Sequence, residues 1–184
     1  RWIGALSHTL QGPYGGGSTY VEGYYYDSLG RVTYRADVIE GSYYYTGYTY
    51  DSQSRLRAMV YPSSFPVWNV YNSYGYLCQV RYDDQNDCAA EGFSWRLDHI
   101  DAFGNVESAT LNNGIFETRH HDQARGHMSA IMTGNGISAD VQNLEYTWDA
   151  VGNLTSRTDH LQSGLSESFS YDALNRMTYA STTG

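Results

Sequence analysis

Proline is scarce, at three in 184 residues, and no stretch sustains a 3.6-residue apolar period with helix caps. Helices are therefore not expected. No apolar run approaches the roughly 18 residues of a membrane-spanning helix, so membrane insertion is not expected either. Basic charge is short: 11 Lys plus Arg stand against 20 Asp plus Glu, a net charge of −9. Such a chain repels phosphate backbones and anionic lipid surfaces, which argues against a nucleic-acid partner. Cysteine is limited to Cys78 and Cys88, and no histidine pair lies near them in sequence, so a zinc site is not expected.

What the chain does have is tyrosine, 19 residues of it, 16 at or before Tyr82. It also has a repeat. Tyr26-Asp27-Ser28-Leu29-Gly30-Arg31 returns as Tyr50-Asp51-Ser52-Gln53-Ser54-Arg55 and as Tyr171-Asp172-Ala173-Leu174-Asn175-Arg176. Looser copies are Trp148-Asp149-Ala150-Val151-Gly152-Asn153, Tyr71-Asn72-Ser73-Tyr74-Gly75-Tyr76 and Ile100-Asp101-Ala102-Phe103-Gly104-Asn105, with His121-Asp122-Gln123-Ala124-Arg125-Gly126 the most degenerate. The seven anchors, at 27, 51, 72, 101, 122, 149 and 172, lie 21 to 29 residues apart. A period of that size marks a repeat architecture.

One unit can be read physically. Asp or Asn opens a turn because its side chain accepts from the backbone two residues on. Three residues later Gly takes a positive φ without strain, and Asn is the next best choice. The turn residues are Asp27, Gly30, Asp51, Asn72, Gly75, Asp101, Gly104, Asp149, Gly152 and Asp172. Alternating runs flank them, the period of a strand. Alternation puts Val32, Tyr34 and Ala36 on one face, with Arg31, Thr33 and Arg35 on the other. It likewise sets Leu56, Ala58 and Val60 against Arg55, Arg57 and Met59. Before the later turns, Leu144, Tyr146 and Trp148 share a face, as do Phe169 and Tyr171. Each unit is thus a β-hairpin and the chain is all-β, with residues 1–19 as a lead-in containing a glycine-rich loop and residues 20–184 as about seven repeats. That loop, Gly12 to Ser18, lacks the preceding strand, following helix and lysine of a phosphate-binding loop.

The seven anchors resemble the YD-repeat (RHS) family, which includes shell subunits of bacterial toxin complexes, polymorphic RHS toxins and animal teneurins. Tyr61-Pro62-Ser63-Ser64-Phe65, Asn112-Asn113-Gly114, Leu154-Thr155-Ser156-Arg157 and Phe169 to Met177 add to the likeness, which covers roughly residues 20 to 184. The resemblance implies tandem hairpins in a curved antiparallel sheet, a segment of a hollow β-shell. It implies a structural role: the parent shell encloses a C-terminal toxin or effector and delivers it, in a secreted or cell-surface setting. The implied partners are the remainder of the shell and the enclosed effector, with no cofactor. The chain opens on Arg1, without a signal peptide, and stops partway through a repeat, so both ends are expected to be cuts in a longer protein. Bacterial members usually close the shell with a region of D-P-x-G-L-type phrases, which in several cuts off the toxin with paired aspartates. No such phrase occurs here, so no protease activity is expected.

Other features carry sharper and blander readings. Tyr24, Tyr25, Tyr26, Tyr43, Tyr44 and Tyr45 put rings on both faces of their strands. They are either cross-strand packing or a platform for sugar rings, the latter making the chain a carbohydrate-binding or adhesion module with cell-surface glycans as partners. Cys78 and Cys88 flank a polar loop and are either a disulfide, if the protein is exported, or free thiols. Asp83, Asp84 and Asp87 in that loop are a weak Ca²⁺ candidate or a solvated turn. Arg119-His120-His121-Asp122 suggests a metal or catalysis, but adjacent strand residues point to opposite faces, and His121 fills the Tyr position of its repeat. Asn113-Gly114 reads as a two-residue hairpin turn. The carboxylates are spread over turns, and no Gly-x-Ser-x-Gly elbow is present, so no enzyme activity is expected.

Overall fold

The computed structural model describes residues 8–11, 20–136 and 138–183. Trp2, Ile3, Ala5, Leu6 and the Gly12–Ser18 loop, read above as parts of the lead-in, lie outside the described residues. The chain forms two units that divide between Glu91 and Gly92.

The first unit holds β1 (His8–Gln11), β2 (Tyr20–Tyr26), β3 (Val32–Ile39), β4 (Ser42–Tyr50), β5 (Leu56–Val60), β6 (Pro66–Tyr71) and β7 (Leu77–Arg81). The second holds β8 (Phe93–Ile100), β9 (Val106–Leu111), β10 (Ile115–His121), β11 (Met128–Asn135), β12 (Gln142–Trp148), β13 (Leu154–Asp159), β14 (Leu165–Tyr171) and β15 (Met177–Thr183). Within each unit every strand pairs antiparallel with its sequence neighbour, a meander of hairpins. No helix occurs among the described residues. β1 extends the sheet into the lead-in, pairing His8–Gln11 with Gly23–Tyr20.

The seven anchor turns join β2 to β3, β4 to β5, β6 to β7, β8 to β9, β10 to β11, β12 to β13 and β14 to β15, and so fall on one edge of their sheets. The returns fall on the other edge. Among these, Tyr61–Phe65 repeats the anchor-turn bonding, with Tyr61 N donating to Phe65 O, Ser64 N to Tyr61 O, and Ser64 at φ 64°. That phrase is therefore a return turn and not only a lead to Tyr71. Asn112-Asn113-Gly114 is a three-residue loop rather than a two-residue one, with Gly114 N donating to Leu111 O and Gly114 at φ 83°. The two-residue return is Glu40-Gly41, both at positive φ.

Simple alternation fails just after each anchor turn. Tyr26 pairs with Val32 but Tyr25 with Tyr34, so Thr33 is an extra residue. Arg57, Cys78, Glu107, Ser129, Thr155 and Thr178 are skipped in the same way. A bulge sets two residues against one and shifts the alternation by one position. Val32 therefore shares a face with Tyr26, whereas Tyr34 and Ala36 share the opposite face. Leu56 is likewise separated from Ala58 and Val60. This corrects the expectation from alternation.

The core is thin, as each unit is a single layer. In the first unit the buried residues other than the bulge residue Cys78, namely Ala36, Ala58, Val70, Gln79 and Arg81, all lie on the face opposite the anchor tyrosines. Arg81 is only 1 % exposed. The loop after β7 closes over it, tied down by the Cys78–Cys88 disulfide, whose Cα atoms are 5.6 Å apart.

Candidate functional site

The repeated turn is one constellation of groups. Asp27 Oδ1 accepts the backbone N–H of Leu29 at 2.9 Å and of Arg31 at 3.0 Å, while Oδ2 accepts Arg31 Nε at 2.7 Å. Asp51 and Asp172 repeat this with Arg55 and Arg176. Asp101 and Asp149 repeat it with Asn105 and Asn153 in place of arginine. Asn72 keeps only the backbone half, to Tyr74 and Tyr76. The residue three on from the anchor takes positive φ whatever its identity: Gly30 79°, Ser54 64°, Gly75 90°, Gly104 88°, Gly152 94° and Asn175 58°. The fifth turn is one residue longer, with Gly126 N donating to Asp122 O and Asp122 N to His127 O.

These bonds hold the carboxylates below their ordinary range. For Asp27 the main cause is the Arg31 N–H, and for Asp149 the Asn153 N–H. For Asp101 it is the Asn105 side chain, and for Asp172 the Arg176 guanidinium. At Asp51 desolvation pushes upward, but the Arg55 N–H and guanidinium outweigh it. A carboxylate depressed on folding stabilises the fold above its unfolded value near pH 3.9, and loses that contribution as pH falls through the folded value. The urea midpoint is thus expected to hold from neutral pH down to about pH 4 and to fall below it. Asp149→Asn should shrink that fall. An equal acid-induced loss in the variant would count against the account.

The aromatic before the anchors at 51, 72, 149 and 172 ties its repeat to the repeat before it. Tyr50 Oη donates to Val32 O at 2.8 Å, Tyr71 Oη to Leu56 O at 3.0 Å and Tyr171 Oη to Leu154 O at 2.9 Å. Trp148 Nε1 makes the corresponding bond to Met128 O at 2.8 Å. The slot therefore calls for an apolar ring with a donor at its tip, which Tyr and Trp both provide. Ile100 has no donor, and His121 Nδ1 is buried without a partner. Tyr71→Phe is expected to cost about 1 kcal/mol, measured by urea unfolding, because it removes the phenol bond and leaves the Leu56 carbonyl with Asn69 Nδ2 at 3.0 Å as its side-chain donor.

Two further links were not visible in the sequence reading. Arg31 Nη1 reaches Ser54 Oγ at 3.0 Å, and Asn153 Nδ2 reaches Asn175 Oδ1 at 3.0 Å, each bridging one turn to the next. Arg31 and Arg55 also lie over the Tyr50 and Tyr71 rings, 4.6 and 4.3 Å from the centroids. At the bulges, Thr33, Ser129 and Thr178 hydroxyls donate to the carbonyls of Tyr25, His120 and Ser170. The available signal was a hydroxyl residue recurring shortly after the turns.

The other candidates separate. Tyr25, Tyr43 and Tyr45 share one face in company with Tyr34, while Tyr24, Tyr26 and Tyr44 lie on the other. The first group is exposed, with Tyr43 and Tyr45 rings parallel within 11° and 6.0 Å apart. Asp83, Asp84 and Asp87, the weak Ca²⁺ candidates, lie in a loop held by protein contacts. Asp83 is engaged by Arg81 Nε at 2.7 Å and Asp87 Oδ1 accepts the Ala89 N–H. Among the described residues no three acidic, His or Cys side chains gather at a metal site. His120 and His121 pair with Ala130 and Met128 and form no such group. His127 stacks on Trp148, centroids 5.0 Å apart.

Comparison with known proteins agrees with this geometry. The RHS Repeat family model matches residues 148–184. No curated protein matches the chain in sequence. Among solved structures, TcdB2-TccC3-Cdc42 is similar at TM-score 0.67 and 15 % identity, covering 89 % of this chain. TcdB2-TccC3 without its hypervariable C-terminal region gives TM-score 0.68 at 15 % identity over 89 % of this chain. A mutant Tc holotoxin pore from Photorhabdus luminescens gives 0.66 at 16 % identity over 89 %. The chain spans 9 % of the length of each of those chains.

Proposed function

We propose that this chain, whose residues 148–184 match the RHS Repeat family model, is an RHS/YD-repeat segment throughout, a stretch of wall in a shell that encloses a C-terminal toxin or effector and carries it to a target. The observation behind this reading is the bond from each Tyr or Trp slot into the preceding repeat, made at Tyr50, Tyr71, Trp148 and Tyr171. It makes each hairpin's stability depend on its neighbour, the logic of a linear repeat array. The turn carboxylates are spent on their own turns, so the segment acts as structure and not as a catalyst. Its partners are further repeats of the shell and the enclosed effector. The disulfide suits a secreted setting. Limited proteolysis of the parent protein tests this reading. The C-terminal region should resist cleavage while the wall is intact and become cleavable when Tyr50 and Tyr71 are both changed to Phe. Equal cleavage in both would reject enclosure.

A second reading is favoured by one observation, the exposed parallel pair Tyr43 and Tyr45 on the face that also bears Tyr25 and Tyr34. It gives the first unit a carbohydrate-binding surface. A glycan-array screen of the chain tests it, with retained or absent binding deciding the matter.

A further inference from the structure

The geometry points to a defined site for an uncharged glycan end in the first unit, in the notch between the β3–β4 hairpin and the β5–β6 turn. This inference rests on the carbohydrate reading above and assigns the place and the ligand class.

The notch arises from unequal hairpins. β4 pairs with β3 from Ser42 to Gly47, but with β5 only from Gly47 to Tyr50. Residues 42–46 of β4 therefore run past the Tyr61–Phe65 turn with no strand on that side among the described residues. Their backbone polar groups on this edge face outward, and their side chains are mostly exposed. The face above is built from Tyr34, Tyr43 and Tyr45, and the turn supplies Tyr61 and Ser64, around a cavity of about 420 Å³. That volume lies within the range of small-ligand sites. Gly47 leaves the floor open. A Cβ there would stand 3.3 Å from Tyr34 Cε1, so any larger residue would push the Tyr34 ring off β4 by a few tenths of an ångström.

The chemistry of the lining selects the ligand. Aromatic faces bind the C–H faces of sugars, and phenol, Ser64 and Thr49 hydroxyls with the open backbone edge supply hydrogen bonds. No residue lining the cavity carries a charge. The described arginines of this unit are also committed elsewhere: Arg31 to Asp27, Arg35 to Glu22 and Asp37, Arg55 to Asp51, and Arg81 to Asp83. Arg57 is held by the Asn69 and Asp84 carbonyls. Among the described residues of the unit a sialylated or sulfated glycan would find no uncommitted arginine to pair with, in a chain of net charge −9. A neutral mono- or disaccharide end fits.

The test is a glycan array carrying neutral oligosaccharides and their sialylated forms, followed by titration calorimetry on any hit. The 184-residue chain is compared with Tyr43→Ala, Tyr45→Ala and Gly47→Val, and with Tyr179→Ala as an exposed-tyrosine control in the second unit. Circular dichroism verifies folding, and Tyr45→Phe provides a gentler variant should Tyr45→Ala unfold. The expected result is binding to neutral ends only, weakened about tenfold or more by Tyr43→Ala and Tyr45→Ala and unchanged in Tyr179→Ala. Gly47→Val should weaken it by displacing Tyr34. Binding that survives all three groove variants would overturn this site while leaving the carbohydrate reading intact. Preference for sialylated forms would overturn the ligand class. No binding at millimolar sugar would overturn the carbohydrate reading itself. Amide-exchange protection of residues 42–46 by an added extended peptide, without sugar binding, would assign the notch to strand addition instead.

Discussion

Arg81→Met is expected to destabilise the first unit by about 3 kcal/mol or more, read as a lowered urea midpoint at unchanged slope. Arg81 is 1 % exposed, and its guanidinium donates to Ala90 O at 3.0 Å, Glu91 O at 2.7 Å, Gln79 Oε1 at 2.8 Å and Asp83 Oδ1 at 2.7 Å. Methionine matches its bulk but removes all four bonds, taking the arginine donor from Glu91 O and Gln79 Oε1, while Ala90 O keeps Gln79 Nε2 at 2.9 Å. Gln79, also buried, donates to Cys88 O and Ala90 O, so the two side chains act as one clamp beneath the disulfide. Asp83→Asn is the contrasting variant. Its carboxylate is 53 % exposed and solvent can replace its bond, so a much smaller effect is expected. If both variants lost equally, the ion pair rather than the carbonyl clamp would be the source of stability. Arg81→Lys should not rescue, because a single ammonium lacks the planar fork that spans these acceptors. The chain has no lysine, and all 11 of its Lys-plus-Arg residues are arginine.

Gly152→Val is expected to cost about 3 kcal/mol in the second unit. Two terms contribute. Gly152 has φ 94°, where a β-branched residue is strained. Its added Cβ would also lie 3.2 Å from His127 Cε1, a ring stacked on Trp148. Trp148 in turn holds Met128 O, so crowding at His127 disturbs the link between the fifth and sixth repeats. Adding His127→Ala to Gly152→Val should recover the crowding share and leave the φ strain. No recovery would place the whole effect on the backbone. Ser54→Gly is the reverse case: it relieves φ 64° but removes the hydroxyl that accepts Arg31 Nη1. The two terms oppose, and the net effect is expected within about 0.5 kcal/mol.

What the sequence by itself determined is the local part of the repeat. An Asp whose side chain bonds its own turn, and a positive φ three residues later, are satisfied within six residues. They therefore appear as a motif and fix where the chain reverses, including at Ser54 and Asn175, where glycine is absent. Alternation before each turn was readable for the same reason, as with Leu144, Tyr146 and Trp148.

What only the tertiary structure decided depends on the neighbouring strand. The skipped residue after each turn is defined by cross-strand pairing, so Val32 and Tyr34 separated onto opposite faces although alternation joined them. The donor at the tip of Tyr50 or Tyr71 has meaning only once the carbonyl 15 to 18 residues back is beside it. The acidic loop resembled a cation site because Asp83, Asp84 and Asp87 are close in sequence. Burial of Arg81, from a strand that reads as ordinary, turned Asp83 toward a guanidinium. The Tyr43–Tyr45 notch depends on one hairpin outrunning the next, a difference in length between elements that no single turn motif encodes.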